Sequence, residues 1–191
     1  KNFLILTLLL TILTMSKLSP AQTPNTQAGI NISNFAQASY RNGGQVFNTV
    51  SPTVSFNVQG VSAVRVTPDE TQPSAVITAN QLISRKFQVC NSSNIADSYT
   101  IKLASVTPPA QIIALYYDID NNGLISNSDT LISLNNTQSP TINPGSCINV
   151  LVDINTNNMR LGDQLVINLT ARSTNNSTAN GLVEDEGTII N

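Results

Sequence analysis

Apolar and polar residues alternate along much of the chain, as in Val54, Phe56 and Val58, which are separated by single polar residues. Successive side chains of a strand point to opposite faces, so this period of two is typical of half-buried β-strands. Comparable runs predict further strands over residues 61–66, 75–78, 85–90, 99–106, 112–117, 130–134, 147–154 and 165–171. Prolines and glycines separate these runs. The 3.6-residue period that would indicate a helix is absent. The pattern predicts an all-β fold, an antiparallel immunoglobulin-like β-sandwich of about seven or eight strands.

A small N-terminal β extension is predicted before this sandwich, because residues 35–40 and 46–50 flank Asn42-Gly43-Gly44, a turn sequence typical of hairpins. Two or three short strands bury little apolar area alone. We therefore expect the extension to pack against the sandwich or to donate a strand to it, with Val54, Phe56 and Val58 buried. The predicted organisation is a linker and β-hairpin unit over 22–60, the sandwich over 61–174, and a polar loop with a possible edge strand over 175–191.

The first 21 residues have the layout of a secretory signal peptide. Lys1 precedes an apolar run from Phe3 to Met15. Cleavage is expected after Ala21, because Ala21 and Ser19 are the small residues required at the last and third-last positions before the cut, and Ala28 is the alternative. The run of about 13 residues is shorter than the roughly 20 of a spanning helix, so no permanent membrane span is expected. A short buried helix is the alternative interpretation. We expect export, to the cell surface or the extracellular medium.

The composition excludes several classes of function. Charged residues make up 10% of the chain, against about 25% in ordinary domains, and 25 Asn, 20 Thr and 20 Ser supply most of the polar surface. With 9 basic and 11 acidic residues the chain has no basic stripe for phosphates, so nucleic acid is not an expected partner. The absence of His removes histidine-based triads and zinc sites, and Gly-x-Ser-x-Gly is also absent. We expect no enzymatic activity.

Cys90 and Cys147 are the two cysteines, and in an exported protein they are expected to form a disulfide. Phe87 and Val89 define one face of the first strand, which leaves Cys90 on the other face. Cys147 likewise lies opposite the apolar residues that follow it, such as Ile148. The two thiols therefore point the same way, which favours a bond between neighbouring strands of one sheet over the inter-sheet bond of antibody domains. Two free buried thiols are the alternative.

Alternation assigns the faces of the strand over 99–106 as well. Ile101 and Leu103 are expected on the core face, and Lys102 on the opposite face.

The strongest chemical motif spans Asp118 to Asp129 and fits the twelve-residue calcium loop. Calcium prefers six to eight oxygen ligands, and such a loop supplies them from positions 1, 3, 5, 7, 9 and 12, with Gly at position 6. The residues at those ligand positions are Asp118, Asp120, Asn122, Leu124 through its carbonyl, Ser126 and Asp129, and Gly123 follows Asn122. The flanking sequences indicate strands, so we expect a structural Ca²⁺ loop within a β-domain. An Asx-rich turn that needs no metal is the alternative.

Three segments, over 28–40, 87–101 and 143–152, resemble the conserved-repeat and adhesion-related immunoglobulin-like domains of bacterial secreted and surface proteins. The resemblance implies a surface or secreted β-sandwich without catalysis, often one module of a longer array. The implied partners are other surface or matrix proteins, or further copies of the chain. A calcium-stabilised carbohydrate-binding module is the second hypothesis, although glycan sites usually contain aromatic platforms and Tyr116 and Tyr117 are the only adjacent aromatic pair.

Overall fold

The structure is a computed structural model that describes residues 26–42, 44–175 and 183–191. The predicted signal peptide lies outside the described residues. Those residues form twelve strands and contain no helix. The described residues therefore include no helix that is long and apolar enough to cross a membrane. The strands are β1 (Asn31–Asn34), β2 (Gln37–Asn42), β3 (Gln45–Val50), β4 (Val54–Asn57), β5 (Val64–Thr67), β6 (Leu82–Asn91), β7 (Tyr99–Val106), β8 (Gln111–Asp118), β9 (Thr130–Leu131), β10 (Cys147–Asn155), β11 (Val166–Ser173) and β12 (Glu184–Ile190).

Eight strands form the body, which we define as the described residues from 61 onward. One sheet has the order β5-β6-β10-β8-β9 and the other the order β12-β11-β7, and every pairing is antiparallel. Apolar side chains from both sheets share one core, whose largest fully buried members include Tyr99, Tyr117, Phe87, Ile101, Ile154 and Leu169. The all-β prediction is confirmed, and the arrangement is consistent with a β-sandwich.

The disulfide lies where side-chain parity predicts. Cys90 on β6 and Cys147 on β10 are direct register partners, with Cα atoms 3.9 Å apart and an S–S bond of 2.04 Å. Both residues are on the outer face of the five-stranded sheet, whereas their neighbours Val89 and Ile148 are buried in the core. The bond therefore joins two strands of one sheet across 57 residues of sequence.

Residues 26–60 form the arm, which contains two two-stranded ribbons. In one, β1 pairs with β4, and in the other β2 pairs with β3. No described strand of the arm pairs with a strand of the body. The arm is held at its base by Asn94, whose amide nitrogen donates to the carbonyls of Thr26 at 3.1 Å and Gln59 at 2.9 Å and whose Oδ1 accepts from the Val61 amide at 2.7 Å.

The expectation that the arm packs against the body was wrong. Val54 and Phe56 are 69% and 60% exposed, and Val58 is half-buried. The strands form where alternation predicts them, and β2 pairs with β3 on either side of the predicted turn, but among the described residues no sheet covers their apolar side. The local pattern fixed which face is apolar and left the covering surface undefined.

Three details of the body also differ from the sequence predictions. Residues 75–78 are not a strand, because no described segment pairs with them, and Val76 is fully exposed. The strand predicted over 130–134 is limited to Thr130 and Leu131. The register of β7 shifts between Ile101, which faces Ala171, and Leu103, which faces Thr170. Lys102 is the extra residue of this β-bulge, so Leu103 turns outward and is exposed instead of lying in the core.

Candidate metal centre

The candidate site is the loop between β8 and β9, at one end of the five-stranded sheet. β8 ends at Asp118, and Tyr117 pairs with Thr130 of β9, so the flanks are strands as predicted. The loop turns sharply at Asn121, with φ of 56°, and at Gly123, with φ of 75°. A positive φ at Gly123 is the conformation that glycine adopts without strain, which explains glycine at that position of the loop.

Three of the predicted ligands converge in space. One carboxylate oxygen from each of Asp118, Asp120 and Asp129 lies within 4.8 Å of the others. Asp118 is buried, Asp129 is half-buried and Asp120 is exposed, so the cluster opens to solvent on one side. Two oxygens bound to one calcium ion at 2.3–2.6 Å are at most about 5 Å apart, so the spacing suits one Ca²⁺.

The other predicted ligands also lie in this loop. Asn122 donates its amide to Asp120 Oδ2 at 2.9 Å, and its Oδ1 accepts from the Leu124 amide at 2.6 Å. The Ser126 hydroxyl lies 3.3 Å from Asp120 Oδ2. The side chain of Leu124 points into solvent, which leaves its backbone as the group that contributes to the loop.

Backbone amides hold the two less exposed carboxylates. Asp118 accepts from the amides of Asn122 at 3.1 Å and Gly123 at 2.8 Å. Asp129 accepts from the amides of Ile119 at 3.0 Å and Ser126 at 2.7 Å. These bonds define the loop conformation and orient the carboxylates.

No basic side chain among the described residues pairs with the cluster. Within the described ranges, the one ion pair joins Arg172 to Glu184, away from the loop. The hydrogen bond from the Ser128 hydroxyl, supported by the Asn122 amide, lowers the pKa of Asp120, so this exposed carboxyl stays ionised at neutral pH. Three carboxylates close together without a basic partner favour a bound cation.

Asn149 is a residue of the site that the sequence interpretation missed. Its amide nitrogen donates to Asp118 Oδ2 at 3.0 Å and to Asn121 Oδ1 at 2.5 Å, and its Oδ1 accepts from Gln88 at 3.3 Å. Asn149 is the register partner of Asp118, and it lies on the outer face although it is only 3% exposed. The position of Asn149 on the same strand face as Cys147 was the available signal in the sequence. Its pairing with Asp118 could not be predicted, because it depends on the β8–β10 register.

Tyr116 and Tyr117, the one adjacent aromatic pair in the sequence, do not form an exposed platform for glycans. Tyr117 is buried in the core and donates its hydroxyl to the Tyr99 carbonyl at 2.8 Å. A different aromatic pair lies on the arm, where Tyr40 and Phe47 stack with ring centroids 5.2 Å apart and both side chains are exposed.

Comparison of the chain with protein-family models finds no match, and a search of curated proteins finds none with significant sequence similarity, so the functional assignment rests on the geometry described above.

Proposed function

We propose that this chain is an exported, non-catalytic structural or adhesion-type module that associates with another protein molecule through its arm and carries a structural Ca²⁺ in its β8–β9 loop. The observation that carries the proposal is the exposed apolar side of the arm. Contiguous apolar surface on a monomer marks an interaction site, and an isolated two-stranded ribbon is marginally stable in water. Both arguments favour a covered arm.

An immunoglobulin-like body is part of this proposal, and the strand order supports it. In constant-type immunoglobulin domains one sheet has the order A-B-E-D and the other contains C, F and G. Naming β5 to β8 as A to D and β10 to β12 as E to G yields the same orders from the two sheets of the body. The short β9 is then an addition beside strand D.

Export is supported by the disulfide between Cys90 and Cys147, because such bonds form and persist in oxidising compartments. The predicted signal peptide over the first 21 residues also supports export.

A structural calcium is supported by the fit between the loop and the ion. Three carboxylates reach a common point, an amide and a hydroxyl lie beside them, and Asn149 fixes the buried carboxylate from the neighbouring strand. The hydrogen bonds within the loop also suit an Asx turn without metal. The measurement that separates these states is isothermal calorimetry with CaCl₂ on the chelator-treated protein, which should show heat for wild type and none for Asp120→Asn.

The arm proposal is tested on cells of the exporting organism with fluorescently labelled purified protein. We expect wild type to remain on the cells after washing and Phe56→Asp to be lost. Phe56 lies outside the core, so the substitution leaves the body folded, which equal melting temperatures verify. Ile113→Asp, at an exposed apolar position on β8, is the matched control and should bind like wild type. Equal retention of wild type and Phe56→Asp would contradict the proposal.

Glycan binding is the second candidate, and the stacked pair of Tyr40 and Phe47 favours it because sugar rings pack on exposed aromatic faces. A glycan array probed with wild type and Tyr40→Ala separates this candidate from the first. Binding to a defined glycan that the substitution removes would support a carbohydrate-binding module.

A further inference from the structure

The disulfide between Cys90 and Cys147 lies on the surface of the body. Cys147 is exposed and Cys90 is half-buried, and both lie on the outer face of the five-stranded sheet. The two cysteines line a shallow cleft of about 350 Å³ together with Thr67, Gln88 and Gly145. A thiol reduces a disulfide directly when it can reach one of the two sulfur atoms, so the exposure of this bond allows exchange in the folded protein.

The side of Cys147 that faces away from Cys90 is open. The ladder between β8 and β10 ends where Asp118 faces Asn149, so among the described residues no strand flanks Cys147 on that side. On the far side of Cys90, by contrast, β5 is paired through Arg65. Thiol–disulfide exchange is a displacement in which the attacking thiolate approaches opposite the sulfur that leaves. The open side therefore favours attack at Cys147 with Cys90 as the leaving group.

Arg65 places a positive charge beside the leaving sulfur. It is the register partner of Cys90 on β5, its side chain is exposed, and it lines the same cleft as the two cysteines. The one ion pair within the described ranges lies on the other sheet, so no carboxylate neutralises this guanidinium there. A neighbouring cation stabilises a thiolate and makes it a better leaving group. Arg65 thus favours the same direction of exchange as the open side of Cys147.

Backbone hydrogen bonds hold β6 and β10 together on both sides of the disulfide. On one side the amide of Asn91 donates to the Ser146 carbonyl, and the amide of Gly145 donates to the Asn91 carbonyl, both at 2.8 Å. On the other side the ladder continues to the pair of Asn155 and Leu82. The two strands therefore stay in register when the S–S bond is broken. The thiols remain neighbours in the reduced protein, so an oxidant can close the bond again.

We propose that Cys90 and Cys147 form a reversible thiol-exchange site, at which an external dithiol reduces the folded protein. One thiolate of the dithiol attacks Cys147 Sγ, which forms a mixed disulfide and releases Cys90 as a thiolate beside Arg65. The second thiolate of the reductant then attacks its own sulfur in the mixed disulfide, closes the disulfide of the reductant and releases Cys147. Two electrons pass from the dithiol to the protein, and the two protons that the dithiol loses end on the cysteines.

Reduction of the purified chain by dithiothreitol, quenched with iodoacetamide and followed by mass spectrometry, measures the rate of exchange. The rate for wild type should not change in urea below the unfolding transition, because the folded chain reacts directly. A bond that opened only on unfolding would be reduced at a rate that rises steeply with urea, since the unfolded fraction does, and that result would overturn the proposal. Glutathione, a monothiol, identifies the attacked sulfur. Peptide mapping should find glutathione on Cys147 and the alkyl group on Cys90, and the reverse pattern would also overturn it.

The role of Arg65 is tested by removing and restoring its charge. Arg65→Gln should be reduced several-fold more slowly than wild type, and Arg65→Lys at nearly the wild-type rate, with equal melting temperatures to show that both variants are folded. Lys86→Gln is the matched control. Lys86 is exposed on the same face of β6, about 13 Å along the strand from Cys90 and beyond the screening length of about 8 Å at 0.15 M salt, so its loss should not change the rate. Equal rates for wild type and Arg65→Gln would contradict the proposed exchange step.

Discussion

The arm and the body are built from the same kind of sequence and end in opposite environments. Phe56 in β4 and Phe87 in β6 both lie in alternating strands, yet Phe56 is 60% exposed and Phe87 is fully buried. In the body, the apolar face of each sheet meets the other sheet of the same chain. In the arm, the ladder forms and its apolar side meets solvent. Alternation therefore determines that a strand has an apolar face, and the presence of a second layer determines whether that face becomes a core.

The sharpest test of this contrast replaces the same residue type in both regions. Phe87→Ala removes a ring that both sheets enclose and should lower the free energy of unfolding by about 3–5 kcal/mol. Phe56→Ala should change it by less than about 0.5 kcal/mol, measured at a concentration where the chain is monomeric. Urea denaturation followed by circular dichroism measures both. Similar losses for the two variants would mean that the arm contributes to the cooperative core.

The disulfide gives the second test, since it constrains the body and not the arm. Closing 57 residues contributes about 4 kcal/mol in the chain-entropy model. We expect the double variant Cys90→Ser and Cys147→Ser to lose an amount of this order in chemical denaturation. Hydrogen exchange of the arm amides should not change, because no arm strand pairs with β6 or β10. Faster exchange throughout the arm would show that the two regions are energetically coupled.

Bound calcium should raise the free energy of unfolding of the body by a smaller amount. An ion that binds the folded state alone stabilises it by RT ln(1 + [Ca²⁺]/Kd), about 1.4 kcal/mol for a Kd near 0.1 mM in millimolar calcium. Chelation should lower the melting temperature of wild type and leave that of Asp120→Asn unchanged. Asp69→Asn, at an exposed aspartate outside the loop, is the matched control and should keep the chelator response. Asp97 is a poorer control, because it is buried and accepts from Ser98.

The junction between the two regions depends on Asn94, so Asn94→Ala should loosen the arm. The substitution removes the hydrogen bonds to Thr26, Gln59 and Val61, a loss of about 1 kcal/mol per bond to the docking of the arm base. We expect faster hydrogen exchange at the arm base, with unchanged protection in β10 and β11. If the protection of those central strands fell equally, the arm and the body would unfold as one unit.

A further small effect is a loss of body stability at alkaline pH. Burial raises the pKa of Tyr117. In the unfolded chain this tyrosine ionises near pH 10, whereas in the folded chain it stays neutral. The contribution of the neutral tyrosine to the free energy of unfolding is therefore fully present below pH 10 and is lost as the pH rises. At pH 10.5 the loss is about 0.8 kcal/mol for one tyrosine. Tyr117→Phe also removes the hydrogen bond to the Tyr99 carbonyl, so its absolute stability differs from that of wild type. The quantity to compare is therefore the slope of the free energy of unfolding against pH, which should be shallower in the variant.

Much of the candidate site could be predicted, because a calcium-type loop is local in sequence. The spacing of Asp118, Asp120 and Asp129 was sufficient to select the three carboxylates that converge. Asn149 could not be found in the same way, since it is about thirty residues away in the sequence and reaches Asp118 only through the β8–β10 register. The outward turn of Leu103 likewise depends on a bulge opposite β11, which alternation within β7 does not reveal.

The sequence by itself determined most of the strands, the arm hairpin, the loop and the sheet face on which Cys90 and Cys147 meet, because each follows from side-chain parity or from turn residues within a few positions. Tertiary structure alone decided the order of the strands, the partner of Asp118, the exposure of the segment over 75–78 and the absence of a cover for the arm. The physical reason is the range of the interactions. Backbone and turn preferences act between neighbours, whereas burial requires a second surface, and the part of the chain that the structure describes places none against the arm.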